Sequence, residues 1–581
     1  MDTRTAAHVL ARIAELLELQ GENRYKAKAY RTAARAVQAL DSDNIGSLHR
    51  AGKLKNVPGL GPGSLAVLRD LVATGDSQLH ERLRETTPEG LLEMMRVPGL
   101  GTAKIHIIHE RLGIDTLHEL EDAARDGRLA TLERFGARTS AKILKGIAFL
   151  RETGALVLYP HALAEASRLL ASVSQHPDVE RAEIAGSLRR RHEVIRDIDM
   201  VVACRTDPAA VAASVARGPG VREVIGGGGR SITVRYVDGT LLDLHCVRTD
   251  HFGVALWRAT GSAEHERQIV QRAEARGLTI SGEHLMDGSG KPVPVPDEAA
   301  FFRALDLPFV APELREGTGE VAAAADRRLP RLVESSDISG ILHCHSQFSD
   351  GKATIAEMVM AAKARGWSYL GVSDHSQSAF YAGGLTRDAV LAQHDEIDRL
   401  NDEMGDFRVL KGIEADILAC GRVDYDGDTL DRFDYVIASI HSRFAMSEAQ
   451  MTERVLRALD DTHLTVIGHP TGRLLLTREP YAIDMDAVLE KAGEEGVAME
   501  LNADPHRLDL DWRLCRKAKE RGVTIEIGPD AHSISGLDNV EIGIGIARKG
   551  WLEAGDVLNT RSAEDIVSRA RQRREGQLRT G

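Results

Sequence analysis

Nothing in this 581-residue chain approaches the ~20 consecutive apolar residues that cross a bilayer. Its first residues, MDTRTAAHVL, also lack the basic-then-apolar order of a signal peptide. A cytoplasmic protein with no membrane partner is expected. Cysteine is scarce, with Cys204, Cys246, Cys344, Cys420 and Cys515 scattered and no CxxC pair. That excludes a disulfide framework and a thiolate zinc site. Aromatic residues are few, at 4%, in a composition otherwise ordinary for globular protein. The length predicts three or four domains, each able to bury its own core.

The net charge of −13 argues against a nucleic-acid partner, but it is unevenly spread. Residues 1–150 hold 22 Lys and Arg against 19 Asp and Glu, a balance of +3 that leaves −16 to the rest. A mildly basic head on an acidic body fits local phosphate contacts and a carboxylate-rich metal centre.

The head, residues 1–152, reads as helical. Val9, Ile13, Leu16 and Leu17 recur at helix spacing, and Ala33, Val37 and Leu40 mark a second helix. Between them lies the basic-aromatic stretch Asn23–Arg31, with Lys26 and Tyr30. Then Val57-Pro-Gly-Leu-Gly61 recurs letter for letter as Val97-Pro-Gly-Leu-Gly101, and a degenerate third copy runs through Arg134–Lys142. This is the helix-hairpin-helix pattern. Its glycines (Gly59, Gly61, Gly99, Gly101) let backbone N–H groups approach a phosphate at a helix start. One copy would suit a plain interhelical turn; two identical copies in a basic region favour sequence-independent DNA binding.

Residues 153–250 read as a strand-rich palm and 251–318 as a small thumb. A strand over Val179–Ala185 leads into Gly186-Ser187 and the cluster Arg189-Arg190-Arg191, and the next strand begins at Asp197-Ile-Asp199. Strand side chains alternate, so Asp197 and Asp199 share a face, where like charges repel unless a divalent cation sits between them. An Asp238-Gly239 turn between alternating runs signals a hairpin that brings Asp243 beside them. Three such carboxylates make a two-metal site for phosphoryl or nucleotidyl transfer. Thr260-Gly261-Ser262 forms a later turn, and 319–336 reads as a linker.

Residues 337–575 alternate apolar strands with amphipathic helices, which implies parallel βα units, and 576–581 form a tail. Seven strands are expected: 339–343, 369–373, 408–413, 434–440, 463–467, 496–501 and 523–527. Their C-terminal ends carry His343-Cys-His345 and Asp350, His375, Glu414, His441, His469, and Asp530-Ala-His532. Parallel barrels place their active sites at those ends. Nitrogen and oxygen donors repeated there suit Mn²⁺ or Zn²⁺ ions that generate a metal-bound hydroxide. Cys344 points to the other face, and His394, His463 and His506 lie off the pattern.

The hairpin head, Gly-Ser turn, Asp-x-Asp, later Asp and Thr-Gly-Ser turn, in this order, resemble the X-family DNA polymerases of the polymerase beta type. The last 239 residues or so resemble the polymerase-and-histidinol-phosphatase (PHP) domain at every motif, and the head–palm–barrel order resembles the bacterial and archaeal PolX proteins. The resemblance implies a multidomain α and α/β fold: helical head, nucleotidyltransferase palm with small thumb, and a C-terminal (βα)7 barrel. It implies Mg²⁺ or Mn²⁺ on Asp197, Asp199 and Asp243, and nucleotide contacts from Gly186, Ser187, Arg190, Thr260, Gly261 and Ser262. It implies a 5′-phosphate pocket at Lys26 and Tyr30, and up to three ions on His343, His345, Asp350, His375, Glu414, His441, His469, Asp530 and His532. His343, His345, Glu414 and Asp530 are expected to carry the hydrolysis, with Arg443 and Arg473 gripping phosphate. The expected function is repair of short gaps in nicked or gapped duplex DNA from deoxynucleoside triphosphates, by a monomer, with 3′→5′ exonuclease, 3′-end processing and abasic-site incision in the barrel.

Three departures stand against that pattern. Arg191 and Arg196 occupy positions where the family has glycine, and Arg258-Ala259 stands where it has an aromatic pair. These favour the competing reading, a PHP nuclease tethered to DNA by a weak or inactive palm. Val67 stands where the family's lyase has its lysine, and without an amine there is no Schiff base, so no lyase activity is expected.

Overall fold

The computed structural model describes residues 3–576 except 23, 39, 41–44, 75–76, 96, 98, 133–134, 154–155 and 237–238. Asn23, Pro98, Arg134 and Asp238, singled out above, lie outside the described residues, as does nearly all of the tail. The chain forms two compact units, Met1–Ala155 and Leu156–Gly581. None of its described helices is long and apolar enough to cross a membrane.

The first unit is all helix. Thr3–Leu19 and Arg24–Gln38 pack through Leu10, Ile13 and Leu17 against Ala27, Ala33 and Val37. The basic-aromatic stretch is not a connector: its alanines favour helix, and it forms the start of the second helix. Tyr30 is buried, with its hydroxyl 3.0 Å from where a Gly63 Cβ would stand, whereas Lys26 is exposed. Both repeats turn on a left-handed glycine, Gly59 (φ +92°) and Gly99 (φ +79°), a conformation a side chain would strain. Gly61 and Gly101 then lead directly into the helices Pro62–Thr74 and Thr102–Leu112. Val67 is buried in the hydrophobic core.

In the second unit the palm is a five-stranded sheet of β1 (Val179–Ile184), β2 (Ile198–Cys204), β3 (Val221–Gly228), β4 (Ser231–Tyr236) and β5 (Leu241–Arg248). Its order is β1-β2-β5-β4-β3, with β2 and β5 parallel and the other pairs antiparallel. The thumb packs Trp257, Phe301 and Phe302 around a three-stranded sheet.

The stretch expected as a linker is built into the fold. Val321 and Ala324 of the helix Glu320–Ala325 join the thumb core, and Glu320 is fully buried, 2.7 Å from His265 Nδ1. Ion pairs that no local pattern announces, Glu320 with His265 and Arg327 with Asp306 at 2.8 Å, fasten this segment along with its few apolar contacts.

The barrel strands are β6 (Gly340–Ile341), β7 (Tyr369–Val372), β8 (Arg408–Asp416), β9 (Tyr435–Ser439), β10 (Val466–Ile467), β11 (Ala498–Asn502) and β12 (Ile525–Gly528). Each pairs parallel to the next in chain order. A parallel bridge from Cys344 to Ala531 joins the first and last units at the C-terminal mouth. All seven expected strands are present.

Palm and barrel meet through ions. Lys549, with no exposed side chain, donates to the Arg190 carbonyl at 3.1 Å and to Glu316. Arg548 reaches Glu313 at 2.7 Å. Arg473 meets palm Glu193 at 3.4 Å, Asp511 at 3.4 Å and the carbonyls of Arg507 and Leu508. Truncating such a pair leaves a buried charge uncompensated, at about 3 kcal/mol. Arg473→Ala should therefore lower the unfolding free energy by about that amount, read from the denaturant midpoint at unchanged m-value.

Candidate metal centres and palm cleft

Gly186 takes a left-handed backbone (φ +63°), and a Cβ there would stand 1.7 Å from Asp199 Oδ2. Only glycine lets this turn close on the carboxylate. Asp199 and Asp243 are register partners on β2 and β5, and the Thr233 hydroxyl donates to Asp243. Burial, then repulsion from Asp197 and Asp243, raises the Asp199 carboxyl to about 7. Burial and Asp243 raise Asp197 as well. Asp199 and Asp243 border a cleft of 340 Å³ lined also by Gly227, Thr233, His245 and Ala259.

The arginines beside the triad are already engaged. Arg189 grips Glu298 at 2.6 and 3.0 Å and the buried Thr260 hydroxyl at 2.8 Å. Arg190 bonds Glu316 at 2.8 Å and the Thr260 carbonyl at 2.7 Å. Arg191, itself left-handed (φ +60°), turns away from the cleft: it meets the Tyr159 hydroxyl and packs over Gly545 of the barrel. Arg191 thus belongs to the palm–barrel joint and does not line the cleft. Arg196 is exposed, and Ser187 is half-buried. Ser262 caps the next helix by accepting from the His265 N–H at 3.1 Å, and a Cβ on Gly261 would crowd His265 at 2.8 Å. Arg258 points out to Glu266 at 2.8 Å, which leaves Ala259 as a small cleft wall.

At the barrel mouth all nine sequence-selected side chains converge. Three sets place their ligand atoms within 4.8 Å of one another: His345, Asp350, His375 and His532; His343, His345 and Asp530; His375, Glu414 and His441. His469 Nε2 joins the third set through Glu414 at 3.0 Å. Glu414 is the hub, 2.8 Å from His375, 3.3 Å from His441 and 3.6 Å from His343. Burial would raise its carboxyl, but His441, His375 and His343 outweigh that and hold it well below the usual carboxylate range. His469 (φ +26°) and Asp530 (φ +49°) hold left-handed backbone, a strain typical of functional sites.

Divalent ions fit this donor set. The ring nitrogens His343 Nε2, His345 Nδ1 and His469 Nδ1 are buried with no hydrogen-bond partner. Such orphaned donors are costly unless something binds them. Cys344 turns its thiol to the Gly371 carbonyl at 3.3 Å, away from the set.

Sequence reasoning missed the groups behind the ligands. Glu500, fully buried, accepts from His343 Nδ1 at 2.6 Å, and Asp416 from His441 Nδ1 at 2.6 Å. Each fixes the tautomer that aims Nε2 into the centre. Asn502 reaches Asp530 at 3.1 Å, and the Arg507 guanidinium lies 3.6 Å from it. Arg473, expected on substrate phosphate, is spent on the palm joint, while Arg443 is exposed. His394 packs edge-on against Phe433, outside the centre.

Comparison with known proteins agrees with this layout. A helix-hairpin-helix domain model matches residues 1–77, a DNA polymerase beta thumb model 255–316, and a PHP domain model 342–504. The chain is similar over part of its length to a probable phosphatase of Syntrophotalea carbinolica (30% identical over 166 residues; 28% of this chain, 64% of that one). It is similar also to one of Shewanella sp. strain ANA-3 (32% over 164 residues; 28% of this chain, 60% of that one). Across nearly its whole length the chain is 37% identical to the DNA polymerase/3′-5′ exonuclease PolX of Bacillus subtilis strain 168, over 571 residues that cover 97% of this chain and 99% of that one. With head, palm, thumb and metal-ligand barrel in one order and one alignment spanning them all, this chain belongs to the PolX family.

Proposed function

We propose that this protein fills short gaps in duplex DNA from deoxynucleoside triphosphates at the palm and removes 3′-terminal nucleotides at the barrel. The observation that carries the reading is two separate carboxylate-bearing centres in one chain: the Asp197–Asp199–Asp243 triad and the nine-residue barrel set. In the palm, Mg²⁺ or Mn²⁺ would be held by the three aspartates. In the barrel, up to three Mn²⁺ or Zn²⁺ ions would be held by His343, His345, Asp350, His375, Glu414, His441, His469, Asp530 and His532. Bound ions supply charge neutralisation for in-line displacement and, in the barrel, activation of water.

The chain's own residues do the rest. The Gly186 turn brings backbone and Ser187 close to the triad, so a triphosphate seated there meets donors at fixed distance. Arg190 would turn from Glu316 to the phosphates, and Lys549 would keep Glu316 neutralised when it does. Thr233 holds Asp243 in place. In the barrel, Glu500 and Asp416 hold His343 and His441 as donors, and Arg507 offsets the negative charge of Asp530. Gly59, Gly61, Gly99 and Gly101 of the head would present hairpin backbone to the DNA phosphates, and Lys26 is exposed on the helix Arg24–Gln38.

The assay that tests this is extension and shortening of a labelled primer at a one-nucleotide gap, with Mg²⁺ and Mn²⁺ in parallel. Extension without shortening, or the reverse, in wild-type protein under every condition contradicts the two-centre reading. Glu500→Gln gives a finer check. Loss of such an orienting carboxylate costs about 10–100-fold in metal affinity. Mn²⁺ titration by calorimetry should show that loss in the barrel while primer extension is retained.

A further inference from the structure

The barrel mouth carries an aromatic pair that the ligand pattern leaves unexplained. Phe380 is 85% exposed and Tyr381 62% exposed, in a chain whose large aromatics are otherwise mostly buried. They sit on the short turn Phe380–Ala382, and that turn is anchored. Ala379 and Ala382 are buried beneath it. The Ser376 N–H donates to the Glu414 carbonyl at 3.0 Å, and the Leu385 N–H to the His375 carbonyl at 2.8 Å. Both ends of the turn are thus tied to the backbone of metal-type ligands.

The rings lie at the centre's edge. Tyr381 stands 6.4 Å from the His375 ring and 6.3 Å from the His441 ring, centroid to centroid. Phe380 meets Tyr381 edge-on, 6.2 Å away at 77°. Two side chains against a charged rim are far less than the ~800 Å² per partner of a stable protein interface. A planar ring bound beside the centre fits them.

We propose that Phe380 and Tyr381 form an aromatic platform, one ring stacking on and the other bracing edge-on the nucleobase of the 3′-terminal nucleotide whose phosphodiester lies at the barrel centre. This rests on the reading of the barrel as the exonuclease. Every base has a π-face, so the platform grips DNA ends without sequence preference. It also makes the barrel favour an end that carries a base over one that lacks it.

The test uses full-length protein, wild type and the variants Phe380→Ala, Tyr381→Ala, the double variant and Tyr381→Phe. The ratio of kcat/KM for a 3′-terminal nucleotide over a 3′-terminal tetrahydrofuran abasic residue should fall roughly five- to a hundredfold in the double variant, the range of one lost stack. Tyr381→Phe should keep the ratio. A 3′-terminal 2-aminopurine should be quenched on binding to wild type and Tyr381→Phe, and not to the double variant. Unchanged ratio and quenching in the double variant would overturn the platform while leaving the exonuclease reading intact. A wild-type protein with no exonuclease activity would overturn both.

Discussion

Asp199→Ala is expected to cut gap filling at least ~10³-fold, about 4 kcal/mol of barrier, while 3′→5′ shortening keeps its rate. The size follows from where Asp199 stands. It is the register partner of Asp243, and the Gly186 turn closes directly upon it. A side chain that costs this much to bury among like charges, with its carboxyl raised to about 7, is kept for the cation it shares with its neighbours. Alanine would relieve the repulsion, so the fold should be as stable or more stable than wild type. Loss of activity with a raised unfolding midpoint would separate a chemical role from a structural one. A fall in that midpoint would argue that the triad supports the sheet instead.

Glu414→Ala should have the mirror effect: 3′→5′ shortening falls at least ~10³-fold and primer extension persists. Glu414 is the one carboxylate within 4 Å of His343, His345, His375, His441 and His469. Removing it leaves five buried imidazoles without their shared counter-charge. Against burial, Glu414 and Asp416 raise His441 to about 10, and removing Glu414 would weaken that upward push. Metal content measured on purified protein should fall with activity. Full metal content with lost activity would make Glu414 a substrate contact rather than a ligand.

The ligands were legible because chemistry and periodicity coincide in short stretches. Asp197-Ile-Asp199 and His343-Cys-His345 put like residues on one strand face, and the strand ends that follow repeat the theme through the barrel. Glu500 and Asp416 were not legible as orienting groups, because their roles come from partners on other strands: Glu500 meets His343 across 157 positions. Arg191 shows the same limit from the other side. Standing where the family has glycine, it spoke for a weakened palm, and only the left-handed backbone that swings it onto Gly545 reveals a domain joint. The supposed linker failed for a related reason, since Glu320 is fastened by His265 and Arg327 by Asp306, which no local pattern links to them.

The two-centre account is tested most directly by one time course: a labelled primer at a one-nucleotide gap, with deoxynucleoside triphosphates present, followed in wild type, Asp199→Ala and His345→Ala. The account predicts both longer and shorter products from wild type, only shorter ones from Asp199→Ala, and only longer ones from His345→Ala. Loss of both product classes in either variant, or retention of both in either, would contradict it.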